Sequence, residues 1–119
     1  MSRLEKDKFD LPDLEHGNFY RHMDGGCYQV VSRGKDTESG VEMVAYIHRY
    51  PYEPTWSFRT AENFDSMSDG MRRFTPITVD EAIEIMAIDR EIAQENVAAA
   101  RARRRAARPG GSALKPKVN

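Results

Sequence analysis

The chain has 119 residues, of which 31% are charged and 39% hydrophobic, and its formal net charge is −1. A chain of this length typically forms one domain with a modest core, which argues against an enzyme of two lobes that close on a substrate. No apolar run approaches the roughly 18 residues that span a bilayer, so we expect a soluble protein without a membrane partner.

The first segment, residues 1–15, mixes charges with Pro12 and has no apolar period. We predict a flexible N-terminal arm that could dock on the fold through Phe9, Leu11 or Leu14. The segment lacks the apolar stretch of a secretory signal, so a cytoplasmic location is expected.

Short strands are predicted from residue 16 to residue 77. Asn18 to Met23 alternates between two faces, and Asp24-Gly25-Gly26 favours a tight turn into a second strand from Cys27 to Arg33. A third strand from Val41 to His48 carries apolar residues on both faces, which suggests that both of its faces are covered.

Two further strands are predicted at Thr55 to Arg59 and at Met71 to Ile77, with a short turn of helix at Ala61 to Phe64 between them. Five short strands joined by tight turns indicate a small antiparallel sheet that curls into a barrel-like shape. Together with the helix described next, this predicts an α+β fold.

A capping box at Thr78-Val79-Asp80-Glu81 predicts the start of a helix. No Pro or Gly follows before Pro109, so we predict one long C-terminal helix over 78–108, roughly 43 Å in length, and a disordered tail over 109–119. Its apolar face between Val79 and Val97 is broader than so small a sheet requires. That excess predicts self-association into a homo-oligomer through this helix.

The net charge hides an asymmetry. Residues 1–97 carry 11 Lys/Arg and 19 Asp/Glu, whereas residues 98–119 carry 7 Lys/Arg and no acid. The basic helix end could bind an acidic protein, could bind nucleic acid without sequence specificity, or could be a solvated end that balances the acidic domain or docks on a neighbouring subunit. The residues concerned are Arg101, Arg103, Arg104, Arg105 and Arg108. Their directions around the helix leave no face that could bury in a core.

No catalytic motif is found in the sequence. There is no glycine-rich phosphate loop, no zinc-protease motif and no nucleophile in a recognisable turn, so we expect neither an enzyme nor a cofactor. The acids Asp80, Glu81 and Glu84 fit the first turns of a helix, where its dipole favours them. The lone Cys27 and the three histidines are not spaced as the ligands of a metal ion are, so no metal site is expected. The histidines are His16, His22 and His48.

Polar aromatic residues are frequent on the predicted strands. Side chains of this kind could line one cleft, stack on a planar ligand and hold an anionic group. The predicted ligand-binding set is Tyr20, His22, Tyr46, Trp56 and Arg59, with Tyr28 on a neighbouring strand and Tyr50 and Tyr52 in the loop after the third strand. The alternative is that the rings fill the core and that neighbouring groups satisfy His22 and Arg59.

About half of the chain resembles DUF1653, a family of small bacterial and phage domains. The resemblance is carried by Gly17-Asn18-Phe19-Tyr20-Arg21-His22-Met23-Asp24-Gly25, Tyr28-Gln29-Val30, Val41-Glu42-Met43-Val44-Ala45-Tyr46, Trp56-Ser57-Phe58-Arg59, Phe64 and Arg73-Phe74. It implies a compact SH3-like β fold over residues 16–77 and an uncharacterised domain without enzymatic character.

The sequence departs from the family pattern in three places. Ser32-Arg33-Gly34-Lys35 replaces a segment that usually carries a His, Thr60 replaces a usual proline, and the helix after Ile77 lies outside the pattern.

Our leading hypothesis is a non-enzymatic binding module for a small anionic or planar ligand or a peptide. The alternative is a nucleic-acid or nucleoprotein binder acting through the arginines.

Overall fold

A computed structural model of the protein describes residues 11–107; Phe9, Arg108 and the predicted tail lie outside the described residues. Within residues 11–107 there are seven strands: β1 (Phe19–His22), β2 (Cys27–Lys35), β3 (Glu42–Tyr50), β4 (Thr55–Thr60), β5 (Met67–Ser68), β6 (Met71–Arg72) and β7 (Phe74–Ile77). The helical elements are a 3₁₀ turn (Leu14–His16), α1 (Ala61–Phe64), α2 (Val79–Met86) and α3 (Arg90–Ala107). None of the helices in this part of the chain is long and apolar enough to cross a membrane.

Five strands form one antiparallel sheet in the order β4-β3-β2-β1-β7, and β5 pairs with β6 in a separate hairpin. This confirms the α+β fold, but the expected barrel is wrong because β4 and β7 remain the two edges of an open sheet. With only four residues, one of them Pro76, β7 offers little backbone to a further strand.

The predicted fifth strand, Met71 to Ile77, is divided in the structure. Its first part, β6, pairs with β5, whereas its second part, β7, joins the main sheet beside β1. Arg73 lies between them: its N–H donates to the carbonyl of Ser66 (3.0 Å), and its carbonyl accepts from the N–H of Met23 (3.0 Å). The backbone N–H and C=O of Arg73 are thus bonded to Ser66 and Met23, so β6 and β7 do not form one continuous strand.

Both faces of the sheet are covered, as the third strand predicts. The aromatic face carries a core of Val30, Val44, Tyr46, Phe64 and Phe74, with α1 packed against it. The opposite, helical face carries a core of Phe19, Cys27, Tyr50, Ala82 and Ala93. The small domain therefore has two thin cores, one on each side of the sheet.

The predicted single C-terminal helix is wrong, because the structure has two helices separated at Ala87–Asp89. The Oδ1 atom of Asp89 accepts from the backbone N–H of Glu91 (3.0 Å) and of Ile92 (3.2 Å), which is how an N-cap begins a helix. The Tyr50 hydroxyl donates to the carbonyl of Ile88 in the break. Because the helix is interrupted, α2 and α3 can each turn their own residues toward the core.

The start of α2 is as predicted. The N–H of Glu81 donates to Thr78 Oγ1 (3.1 Å), and the N–H of Thr78 donates to Glu81 Oε1 (2.8 Å). These two reciprocal bonds satisfy backbone donors that the first turn of a helix leaves without partners.

The segment before β1 lies against the sheet. The carbonyl of Pro12 accepts from Arg49 Nη1 (2.7 Å), and the carbonyl of Asp13 accepts from the buried Gln29 (3.2 Å). Leu14 packs against the core of the helical face. Residues 12–14, which the sequence places in the arm, are therefore bound to the domain.

Candidate functional site

Four rings form a continuous group, which we call the histidine–tyrosine patch: His22, Tyr28, His48 and Tyr52. The centroids of His22 and Tyr28 are 5.8 Å apart, those of Tyr28 and His48 are 4.6 Å apart, and those of His48 and Tyr52 are 5.6 Å apart. The patch draws on β1, β2, β3 and the loop after β3, and it adjoins Phe74 in the aromatic core. A row of rings of this kind can stack on a planar group.

Both histidines of the patch are neutral at pH 7. Burial lowers the pKa of His22 and of His48 from the usual 6.5 to about 4 in each case. His22 Nδ1 accepts from the N–H of Asp24 (3.1 Å), and His48 Nε2 accepts from the N–H of Tyr52 (3.0 Å). The proton of each ring therefore sits on the other nitrogen, His22 Nε2 or His48 Nδ1.

Three polar atoms of the patch make no hydrogen bond with any residue between 11 and 107: His22 Nε2, His48 Nδ1 and Tyr28 Oη. Burial also raises the pKa of Tyr28 to about 12, so its hydroxyl keeps its proton. These atoms are therefore hydrogen-bond donors that have no acceptor among residues 11–107.

Tyr46 and Arg59, which the sequence predicts to bind the ligand, are bonded to their neighbours. Arg59 donates from Nε to Tyr46 Oη (2.7 Å) and from Nη1 to Asn63 Oδ1 (2.6 Å). Tyr46 is buried, and the half-buried Tyr20 packs edge-on against Phe64 at 5.2 Å. These three residues lie on the same sheet face as His22 but hold the aromatic core together.

Trp56 does not join the other predicted ligand-binding residues. It lies opposite Ile47 in the register of β4 with β3, whereas Arg59 lies opposite Val44. Side chains alternate along a strand, so these two positions, three apart, face opposite sides of the sheet. Trp56 is on the helical face and is 46% exposed.

The basic end of α3 is bound to the β1–β2 turn. Asp24 accepts two hydrogen bonds from Arg104, at 3.0 Å from Nε and 2.7 Å from Nη2, and lies 3.9 Å from Nε of Arg101. The Arg104 guanidinium holds the pKa of Asp24 below its usual value. Arg104 also lies 3.5 Å from Asp69.

The basic helix end beyond Val97 has no buried residue up to Ala107, as expected, but Arg104 is half-buried and lies on the packed side of α3. Ala93, Val97 and Arg104 follow one another at spacings of four and seven, which is one side of a helix. Ala93 and Val97 are buried, and Arg104 continues that side onto the buried carboxylate of Asp24. Arg103 and Arg105 are exposed, in agreement with a solvated remainder.

The histidine–tyrosine patch and the arginines of α3, which belong to separate predicted sites, therefore meet at Asp24. The backbone of Asp24 bonds the His22 ring, and its carboxylate bonds the arginines of α3. A cavity of about 520 Å³ lies beside this junction, between α3 and the β5–β6 hairpin. It is lined by Met23, Asp24, Asp69, Met71, Ala100, Arg103, Arg104 and Ala107.

Sequence reasoning missed the parts played by Asp24 and His48. Asp24 reads as a turn residue because two glycines follow it, and His48 reads as one end of a strand. The opposite charges of the two parts of the chain indicate that they could face each other, but charge totals do not identify which acid the arginines meet.

The Asp24–Arg104 pair predicts a measurable coupling. Replacing Asp24 with alanine removes two hydrogen bonds from Arg104 and should cost about 2–3 kcal/mol of unfolding free energy, because Arg104 keeps Asp69 at 3.5 Å and some access to water. In a double-mutant cycle with Arg104→Ala, urea denaturation should give an interaction of about 1–3 kcal/mol. The exposed Arg72→Ala, on β6, is the matched control and should change stability by less than about 0.5 kcal/mol. Additive costs for the two residues would contradict the pair.

Among residues 11–107, no group of three His, Cys, Asp or Glu side chains is arranged to hold a metal ion.

Comparison with known proteins adds a family assignment. No curated protein and no solved structure matches this chain. Residues 18–76 match the model of the DUF1653 family, described as a protein of unknown function, and these residues contain the whole patch. The chain therefore carries, over residues 18–76, a domain of the DUF1653 family.

Proposed function

We propose that the protein is a non-enzymatic binding module whose ligand sits where the histidine–tyrosine patch meets the basic end of α3. The observation that carries this proposal is the position of Asp24, which bonds the His22 ring through its backbone and Arg104 through its carboxylate. Stacking surfaces and guanidinium groups are thereby brought to one place.

The ligand that fits this chemistry is a small planar anion such as a nucleotide. Rings of the patch can stack on its base, and the neutral imidazoles can donate hydrogen bonds to its carbonyl or ring-nitrogen acceptors. Arg101 is 45% exposed at its side chain and can contact a phosphate.

The non-enzymatic part of the proposal rests on His22. In sites of the Ser-His-Asp type, a carboxylate bonded to the histidine ring orients it as a general base. The Asp24 carboxylate is 3.8 Å from His22 Nδ1, and that nitrogen accepts the backbone N–H of Asp24 instead. With a pKa of about 4, His22 is a weak base at neutral pH.

Binding can be tested by NMR on the histidine ring C–H signals during titration with nucleoside monophosphates. We expect the signals of His22 and His48 to move, and Arg101→Ala to weaken binding about 5- to 20-fold through loss of a charged hydrogen bond. Arg105→Ala should leave the affinity unchanged. Trp56 fluorescence is a poor reporter, because Trp56 lies on the other face of the sheet. Unmoved signals across the full nucleotide panel would reject the site.

A second candidate is non-specific binding of nucleic acid, favoured by the exposure of Arg103 and Arg105. Removal of residues 98–119 would not test it cleanly, since it would also take Arg104 from Asp24. Arg103→Ala with Arg105→Ala should instead reduce the slope of log affinity against log salt by about two for duplex DNA. Lys35→Ala, remote from α3, is the control, and an unchanged slope in the double variant would reject this candidate.

We also propose that the open sheet is an SH3-like arrangement, as the family resemblance implies. Its support is the antiparallel order of the five strands and the shifts in register between β2 and β3, since such irregularities bend strands. Superposition of an experimental structure on SH3 domains would test it.

A further inference from the structure

The outward side of α3 has a regular pattern of its own. Ile92, Glu95, Ala99 and Ala102 follow one another at spacings of three, four and three, and all four are exposed. This is the spacing at which two helices pack along a seam. Ile92 is 53% exposed, which is high for a residue of its size and hydrophobicity.

Charged residues lie on both sides of this seam, acidic at its beginning and basic near its end. Asp89 and Glu91 lie at its beginning, and Arg103 and Arg105 lie near its end. Asp89 and Arg103 are on one side of the seam, fourteen positions apart, and Glu91 and Arg105 are on the other side with the same separation. Both flanks therefore run from acidic to basic along the helix.

We propose that α3 pairs in antiparallel orientation with α3 of a second copy of this chain, around a two-fold axis near Val97. Ile92 then faces Ala102 of the second copy, and Glu95 faces Ala99 of the second copy. Large side chains meet small ones in each layer, and the stem of Glu95 covers an alanine while its carboxylate reaches the rim. The pairing does not rest on the proposed nucleotide site, but it uses Arg103 and Arg105, the two residues that the second candidate function assigns to nucleic acid.

The flanks select both the partner and the orientation. In the antiparallel pair Glu91 meets Arg105 of the second copy and Asp89 meets Arg103 of the second copy, and the two-fold axis makes four such contacts. A parallel pair would place acid against acid and arginine against arginine. The charges of the helix are thus complementary to the same helix reversed.

The association is tested by sedimentation velocity across protein concentration at low salt. The full chain should form a dimer, and Arg105→Glu should weaken it at least about tenfold, because two symmetric attractions become repulsions. Glu91→Arg should weaken it similarly, and the two substitutions together should restore it. Glu38→Arg, in the β2–β3 loop, is the charge-matched control and should leave the dimer intact.

The orientation is tested by oxidation of single-cysteine additions. Ala98→Cys lies beside the axis and should cross-link, whereas Ala106→Cys should not, because antiparallel helices separate that position from its own copy. The native Cys27 is fully buried and should not interfere. A monomer at high micromolar concentration, a double charge reversal that fails to restore the dimer, or efficient cross-linking at position 106 would each overturn the proposal.

Discussion

Replacing Phe74 with alanine is expected to lower the free energy of unfolding by about 3–5 kcal/mol. The Phe74 ring is 1% exposed and stacks on Phe64 with centroids 4.2 Å apart. It also contacts His22, Tyr28 and Tyr46, so its loss opens a cavity between the aromatic core and the patch. Typical domains have only about 5–15 kcal/mol of stability, so much of it would be lost.

Phe58→Ala is the matched control because it makes the same chemical change on an exposed side chain. Phe58 is 66% exposed on the other face of the sheet, and we expect its replacement to cost less than about 0.5 kcal/mol. Urea denaturation of both variants gives the comparison. Equal costs for the two residues would show that Phe74 is not the centre of a packed core.

Lowering the pH from 7 to 5 is expected to destabilise the protein by about 1–3 kcal/mol. The pKa of His22 and of His48 is about 4 in the folded chain, mainly because of burial. An unfolded chain protonates its histidines near pH 6.5, so between 6.5 and 4 it binds more protons than the folded chain. Stability is therefore fully present above pH 6.5 and falls as the solution is acidified.

The test is urea denaturation at pH 7 and pH 5 for the natural protein and for a variant with His22→Asn and His48→Asn. The variant should lose most of the difference between the two pH values, even if it is less stable at both. The carboxyl group of Asp24, whose pKa is lowered, would contribute only below about pH 4. An undiminished pH dependence in the variant would assign the effect to other groups.

Patterns within single elements were readable from the sequence. The alternation of Val41 to His48 predicted a strand covered on both faces, and Thr78 with Glu81 predicted a capping box. The helix break was missed because Asp89 is equally compatible with a helix interior and with an N-cap. In the structure the Tyr50 hydroxyl donates to the carbonyl of Ile88 in the break, a contact between residues 38 positions apart that the sequence does not show.

The candidate site was only partly predictable, because it depends on contacts distant in sequence. Residue types alone singled out His22, but they could not show that Asp24 would orient its ring. Trp56 was grouped with Arg59 by chemistry, although strand alternation assigns the two residues to opposite faces. The arginines were recognised as a charged group, but the acid that binds Arg104 lies 80 positions earlier.

That distance has a consequence for synthesis of the chain. A ribosome produces the β1–β2 turn long before it produces the residue that neutralises the Asp24 carboxylate. While Arg104 is still inside the exit tunnel, a nascent chain cannot bury that charge without a partner. We therefore expect the docking of α3 on the turn to wait until Arg104 has left the exit tunnel, so that a nascent chain stalled before that point would keep its turn open to solvent and to chaperones.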